Sequence, residues 1–208
     1  MKIFKELSIA DIFSILNATS GFLGVSYLLT KGYSENIFHF LYFSAIMDGL
    51  DGLTANKLGK KGKLGKDLDT LADLISFGVF PSTVLVHVGY LYSALLYLLA
   101  TILRLARFNV LNKRDFVGLP TVASALLISS VIIINIKFVQ IVAIILSILM
   151  ISDIEYKRIG VRSSIVCGIV ILTCFFIKNA ILILFILTII YIVSPGVVSL
   201  VKRILKQE

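Results

Sequence analysis

Eight apolar runs, each bounded by charged or turn-forming residues, constrain this chain more than any other feature. They fall near residues 12–30, 36–56, 68–88, 90–108, 119–134, 138–151, 163–177 and 180–201. An apolar run of about 20 residues can cross a bilayer as a helix, which satisfies its own backbone polar groups where water cannot. The runs 119–134 and 138–151 are short for a full crossing, so they are expected to tilt, to pack on neighbouring helices or to form one broken unit. A soluble domain of 208 residues would need a polar exterior, yet only 15% of the residues are charged and the mean hydropathy is +1.00. The expected fold is all-α and integral to the membrane. It is a polytopic helix bundle with eight transmembrane segments, formed by one domain over residues 1–208.

The net charge of +8 would suggest nucleic acid in a soluble protein, but here its placement argues against that partner. If all eight runs cross, alternate connections share one side of the membrane. Of the 20 Lys and Arg residues, only Lys31, Lys137 and Lys178 fall on the other side. That asymmetry predicts a multi-pass protein of the cell membrane with both termini cytoplasmic. A six-crossing arrangement that merges the two short runs leaves the first four as drawn. Lys2 and Lys5 precede the first run, but Glu6 and Asp11 intervene and no small-residue cleavage site follows, so this helix is expected to stay. Cys167 and Cys174 lie seven apart on one apolar run without nearby metal-ligating residues, which suits packing better than redox or metal chemistry.

Acids inside apolar runs are costly, at about 2.5–3.5 kcal/mol for an Asp at a helix centre. Most acids in this chain lie in connections; the exceptions cluster. Asp48 and Asp51 are on the second run, and Asp69 and Asp73 are on the third. Spacings of three and four put each pair on one helix face. The short connection makes the two helices antiparallel neighbours, with the acids roughly 5–15 Å from the cytoplasmic turn. Four uncompensated carboxylates there would cost about 10 kcal/mol together. No Lys or Arg lies within either helix at that depth, so a bound cation is expected. All-oxygen ligation selects Mg²⁺ or Mn²⁺, and four carboxylates suffice for two ions, an arrangement suited to displacement at phosphorus.

Glycines crowd the same stretch. Gly52 and Ala55 remove bulk beside the acid face and let a ligand approach the backbone. Small residues of this kind also serve tight helix packing, and Gly59 and Gly62 suit a plain turn. The lysines of residues 57–66 fit both phosphate contact and the positive-inside pattern. From spacing alone a structural or cation-transport role for the acids stays open. A transport path, however, would spread acids along the depth of several helices, and here they occupy one pair at one end.

In the order Asp48, Asp51, Gly52, Ala55, Gly65, Asp69 and Asp73, the stretch resembles the CDP-alcohol phosphotransferase signature, D-x-x-D-G-x-x-A-R-x8-G-x-x-x-D-x-x-x-D. One position departs: Asn56 stands where the family has arginine, leaving Lys57, Lys60 and Lys63 as the basic residues at hand for a diphosphate. Further stretches resemble the phosphatidylserine or archaetidylserine synthase branch. They are Leu74 to Pro81, Arg104 to Asn109, Phe116 to Pro120, and the first helix with Ser14, Asn17, Thr19, Ser20 and Gly21.

The resemblance implies a six-helix family core that tends to form homodimers. It also implies transfer of a phosphatidyl or archaetidyl group from CDP-diacylglycerol or CDP-archaeol to L-serine, releasing CMP. Asp48, Asp51, Asp69 and Asp73 would be the metal ligands, with Asp73 also the catalytic base. Asn17, Gly52, Ala55, Asn56, Gly62 and Gly65 would hold the CDP-lipid. Arg104 or Arg107, with Asn109 nearby, would grip the acceptor's carboxylate, although snorkelling at a helix end accounts equally for both arginines. Glycerol 3-phosphate or inositol phosphate remain alternative acceptors. His39 and His87 fall near the far side, and Asp153, Glu155, Lys157 and Arg158 read as a solvated mixed-charge loop.

Overall fold

The computed structural model describes residues 7–58, 63–111 and 116–204, except for the side chains of 55–58, 63 and 197–204. Eight helical stretches follow the eight apolar runs in order. They are α1 (Ile9–Lys31), α2 (Phe38–Leu58), α3 (Lys63–Asp73) continuing into α4 (Phe80–His87), α5 (Leu91–Leu111), α6 (Thr121–Asn135), α7 (Val139–Ile151), α8 (Val161–Thr173) and α9 (Ala180–Ile204). The chain is an all-α polytopic membrane protein. Among the described residues, Ile9–Lys31, Leu64–His87, Leu91–Leu111 and Thr121–Ile151 are long and apolar enough to cross a membrane.

The last of these stretches does not run straight. Asn135 adopts an extended conformation and its side chain accepts a hydrogen bond from the Lys137 backbone, which breaks the helix. The chain then returns as α7, so α6 and α7 form a hairpin, one form of the broken unit expected for the two short runs. Its open end is closed by backbone bonds from Leu119 N to Leu149 O (3.1 Å) and from Gly118 N to Ile154 O (2.8 Å). A short antiparallel pair, β1 (Phe116–Val117) with β2 (Glu155–Tyr156), extends the closure. Gly118 is required there. Its φ of +81° lies in the left-handed region, and an added Cβ would strike the Met150 carbonyl and the Arg107 guanidinium.

α1 explains how the N-terminal helices come close together. Its buried positions Ala10, Ser14, Asn17, Gly21, Gly24 and Leu28 recur every three or four residues, forming one narrow face of mostly small side chains. A Cβ on Gly24 would meet the Phe80 ring, and one on Gly21 would overlap Ser76. Ser8 caps the helix, with its hydroxyl accepting from Asp11 N while the Asp11 carboxylate accepts from Ser8 N.

Between α3 and α4 the helix widens into a π turn over Leu74–Val79, where Phe80 N–H bonds to Ile75 O, five residues back. Proline chemistry accounts for part of this. Pro81 has no N–H for the carbonyl of Phe77 four residues earlier. That carbonyl instead accepts from the buried Tyr97 hydroxyl of α5 at 3.0 Å.

Candidate metal and transfer site

α2 and α3 both pack on α1, and their acids come together beside it. One carboxylate oxygen from each of Asp48, Asp69 and Asp73 lies within 4.8 Å of the others, and all three residues are half-buried. The like charges of Asp48 and Asp69 act on Asp73, opposed by the positive charge of Arg104. Asp51 lies outside this group of three. It is buried (1% exposed) and accepts from Ser14 Oγ of α1 at 2.5 Å.

Asn17 links the acids to α1. Its Nδ2 donates to Asp73 Oδ1 at 3.3 Å, while its fully buried Oδ1 has no hydrogen-bond partner among the described residues. Its backbone carbonyl accepts from Ser44 Oγ (3.1 Å) on α2 and Ser76 Oγ (2.7 Å) on the π turn. These bonds register α1 against both acid-bearing segments. A divalent cation fits this donor set. Three carboxylates converge, every donor is a hard oxygen, and an unsatisfied amide oxygen sits on the residue that orients Asp73.

The two small residues of the signature that can be seen behave differently. Gly52 is exposed, with open space where a Cβ would stand, so packing does not require a glycine there. Gly65 is buried against the Asp11 carboxylate, so its missing side chain serves helix contact. Ala55 and Asn56 belong to α2, but their side chains lie outside the described residues, as does Gly62 entirely.

Arg104 and Arg107, equivalent by sequence, have separate environments. Arg107 is spent on structure: Nη1 donates to Ile151 O (3.1 Å) and Asp153 Oδ1 (3.2 Å). Its Nη2 donates to the carbonyls of Val117 (3.0 Å), Met150 (3.0 Å) and Ser152 (2.8 Å). It caps the C-terminus of α7, where positive charge suits the helix dipole. Arg104 is buried (4% exposed), its Nε lacks a partner, and its guanidinium lies over the Phe108 and Phe116 rings at 5.4 and 5.3 Å. Asn109 pairs its amide with Thr70 Oγ1 of α3 (3.0 Å), and its carbonyl accepts from Lys66 Nζ (3.2 Å). It therefore ties α5 to the acid-bearing helix.

Sequence reasoning missed Ser44, Ser76 and Thr70, whose hydroxyls fix the register of the site, and the ring pair that seats Arg104. A serine three residues after Asp73 was visible, but its carbonyl partner 59 positions away was not.

The family model for CDP-alcohol phosphatidyltransferase matches residues 7–201, and the chain belongs to that family of enzymes. Among its relatives, the CDP-diacylglycerol–serine O-phosphatidyltransferase of Methanocaldococcus jannaschii is 39% identical over 160 residues, covering 74% of this chain and 76% of the relative. The archaetidylserine synthase of Methanothermobacter thermautotrophicus is 37% identical over 176 residues, covering 76% and 73%. The CDP-diacylglycerol–serine O-phosphatidyltransferase of Helicobacter pylori is 32% identical over 169 residues, covering 70% and 71%.

Proposed function

We propose that this enzyme transfers a phosphatidyl-type group from a CDP-activated lipid, CDP-diacylglycerol or CDP-archaeol, to the hydroxyl of L-serine and releases CMP. The convergence of Asp48, Asp69 and Asp73, with a buried Arg104 whose Nε lacks a hydrogen-bond partner acting on Asp73, carries this reading. It offers sites of both signs: carboxylates for a cation that meets a diphosphate, and a guanidinium for an anionic acceptor. The relatives' names point to the same acceptor.

Asp48, Asp69 and Asp73 would hold Mg²⁺ or Mn²⁺, with Asp51 available for a second ion if it leaves Ser14. When bound, the metal supplies charge neutralisation of the diphosphate and of the departing CMP. Asp73 is the base: held by Asn17, it accepts the serine hydroxyl proton as that oxygen bonds to the lipid-bearing phosphorus. The P–O bond to CMP breaks as the new one forms. Gly52, bare and facing open space, gives the nucleotide room, with Asn17, Ala55, Asn56, Gly62 and Gly65 assigned to the same donor region. Arg104 receives the acceptor's carboxylate. Arg107 and Asn109 support that pocket through the contacts described and need not touch the substrate.

The chain is read as one domain of eight crossings in the cell membrane, with termini and acids on the cytoplasmic side, and the family resemblance alone supports a homodimer. The deciding experiment measures CMP release by the purified protein with each CDP-lipid and Mg²⁺ or Mn²⁺, adding serine, inositol phosphate or glycerol 3-phosphate separately. Serine-dependent release that disappears in Asp73→Asn supports the reading. Release only with a phosphorylated acceptor overturns the acceptor assignment.

A further inference from the structure

Arg158, which reads in sequence as part of a solvated loop, reaches the same two rings as Arg104. Its guanidinium carbon stands 5.1 Å from the Phe116 centroid and 6.0 Å from that of Phe108. The corresponding Arg104 distances are 5.3 and 5.4 Å, and the two rings are themselves 5.7 Å apart. The placement follows from the fold. β2 pairs Tyr156 with Phe116, and Arg158 follows Tyr156 by two residues. Arg107 then pins the start of the same connection through Ser152 and Asp153.

Two like charges gathered on one aromatic pair repel each other, so the arrangement gains when an anion joins them. Stacking uses the face of a guanidinium and leaves its in-plane N–H groups for a carboxylate. Arg104 contributes an independent sign of a missing ligand, because it is 4% exposed with its Nε unsatisfied. A buried guanidinium N–H without an acceptor is expensive to maintain. Asp73 and Asp48 act electrostatically on Arg104, which places this pair of arginines on the acid side of the bundle.

We propose that Arg158 is an acceptor-binding residue, joining Arg104 on the Phe108–Phe116 pair to recognise the carboxylate of an amino-acid acceptor. This rests on the serine reading above and adds a residue from the α7–α8 connection, far in sequence from the aspartate signature. Arg104 supplies the buried contact. Arg158, exposed at the rim, closes over the carboxylate and selects acceptors that carry one.

The test titrates serine in the CMP-release assay with the full chain in detergent and CDP-lipid saturating. Arg158→Gln is expected to raise the serine KM about 10-fold with little change in kcat or in the CDP-lipid KM. Arg158→Lys, which keeps the charge without the planar fork, is expected to recover only part of that loss. Serinol keeps the hydroxyl and amine but has no carboxylate, and its inhibition constant against serine should be the same in wild type and Arg158→Gln. An unchanged serine KM, a fall in kcat alone, or equal weakening of serine and serinol would each overturn the proposal. A rise in the CDP-lipid KM instead would reassign Arg158 to the donor. A wild-type protein without serine-dependent release sinks the functional reading and this inference together, whereas an active wild type with an unmoved Arg158→Gln sinks the inference alone.

Discussion

The helices α1 to α5 and the pair α8–α9 are both apolar, yet they differ in how far their polar side chains reach. In the first group several hydroxyls and amides bond across helices, while others, such as Thr19 and Thr83, return to their own helix. Ser14 reaches Asp51, Asn17 reaches Asp73, Ser20 reaches Phe40 O, Ser76 reaches Asn17 O and Tyr97 reaches Phe77 O. In α8–α9 the hydroxyls of Thr173, Thr188 and Ser194 return to carbonyls of their own helix three or four residues back. Their large side chains, such as Ile165, Ile169, Ile183, Ile186 and Ile190, are exposed on the described surface. Directional bonds set the position of one region, whereas solvation by lipid tails suffices for much of the other.

The sharpest break of this contrast lies at the acids. Chelation with EDTA is expected to abolish CMP release, with recovery on adding Mg²⁺ or Mn²⁺; activity that survives chelation would remove the metal from the account. Asp73→Asn should lower kcat about 10³-fold while the protein remains folded by size-exclusion chromatography and circular dichroism. Packing effects come next. Gly21→Val would drive a side chain into Ser76 and should cost about 1–3 kcal/mol, read as earlier thermal unfolding in detergent. A comparable volume change at exposed Ile190 should stay within about 0.5 kcal/mol. Equal losses at the two sites would erase the distinction between the regions. Smaller still, Ser44→Ala removes one cross-helix bond to Asn17 O and should cost about 0.6 kcal/mol, near the average for such bonds in membranes.

All eight helices could be located from the apolar runs, because a bilayer admits few other ways to satisfy a buried backbone. The acids were legible for the same reason: charge in an apolar run stands out by its cost. Their grouping was legible only in part. Spacing joined Asp48 to Asp51, but the structure groups Asp48 with Asp69 and Asp73 and gives Asp51 to Ser14. Helical spacing records which residues share a face, but a neighbouring helix decides which of them meet. The arginines show the same limit. Nothing local separates Arg104 from Arg107, and their difference arises from carbonyls more than forty positions away, at Met150 to Ser152.

The π turn over Leu74–Val79 inserts one residue between the chemistry of α3 and the packing of α4. Deleting a single residue there would restore the ordinary pitch. Because the wide turn absorbs that residue, Asp69 and Asp73 on one side and Phe80 on the other would keep their relative phase. A change of length at this one point can therefore be absorbed without moving either the candidate metal ligands or the Phe80–Gly24 contact.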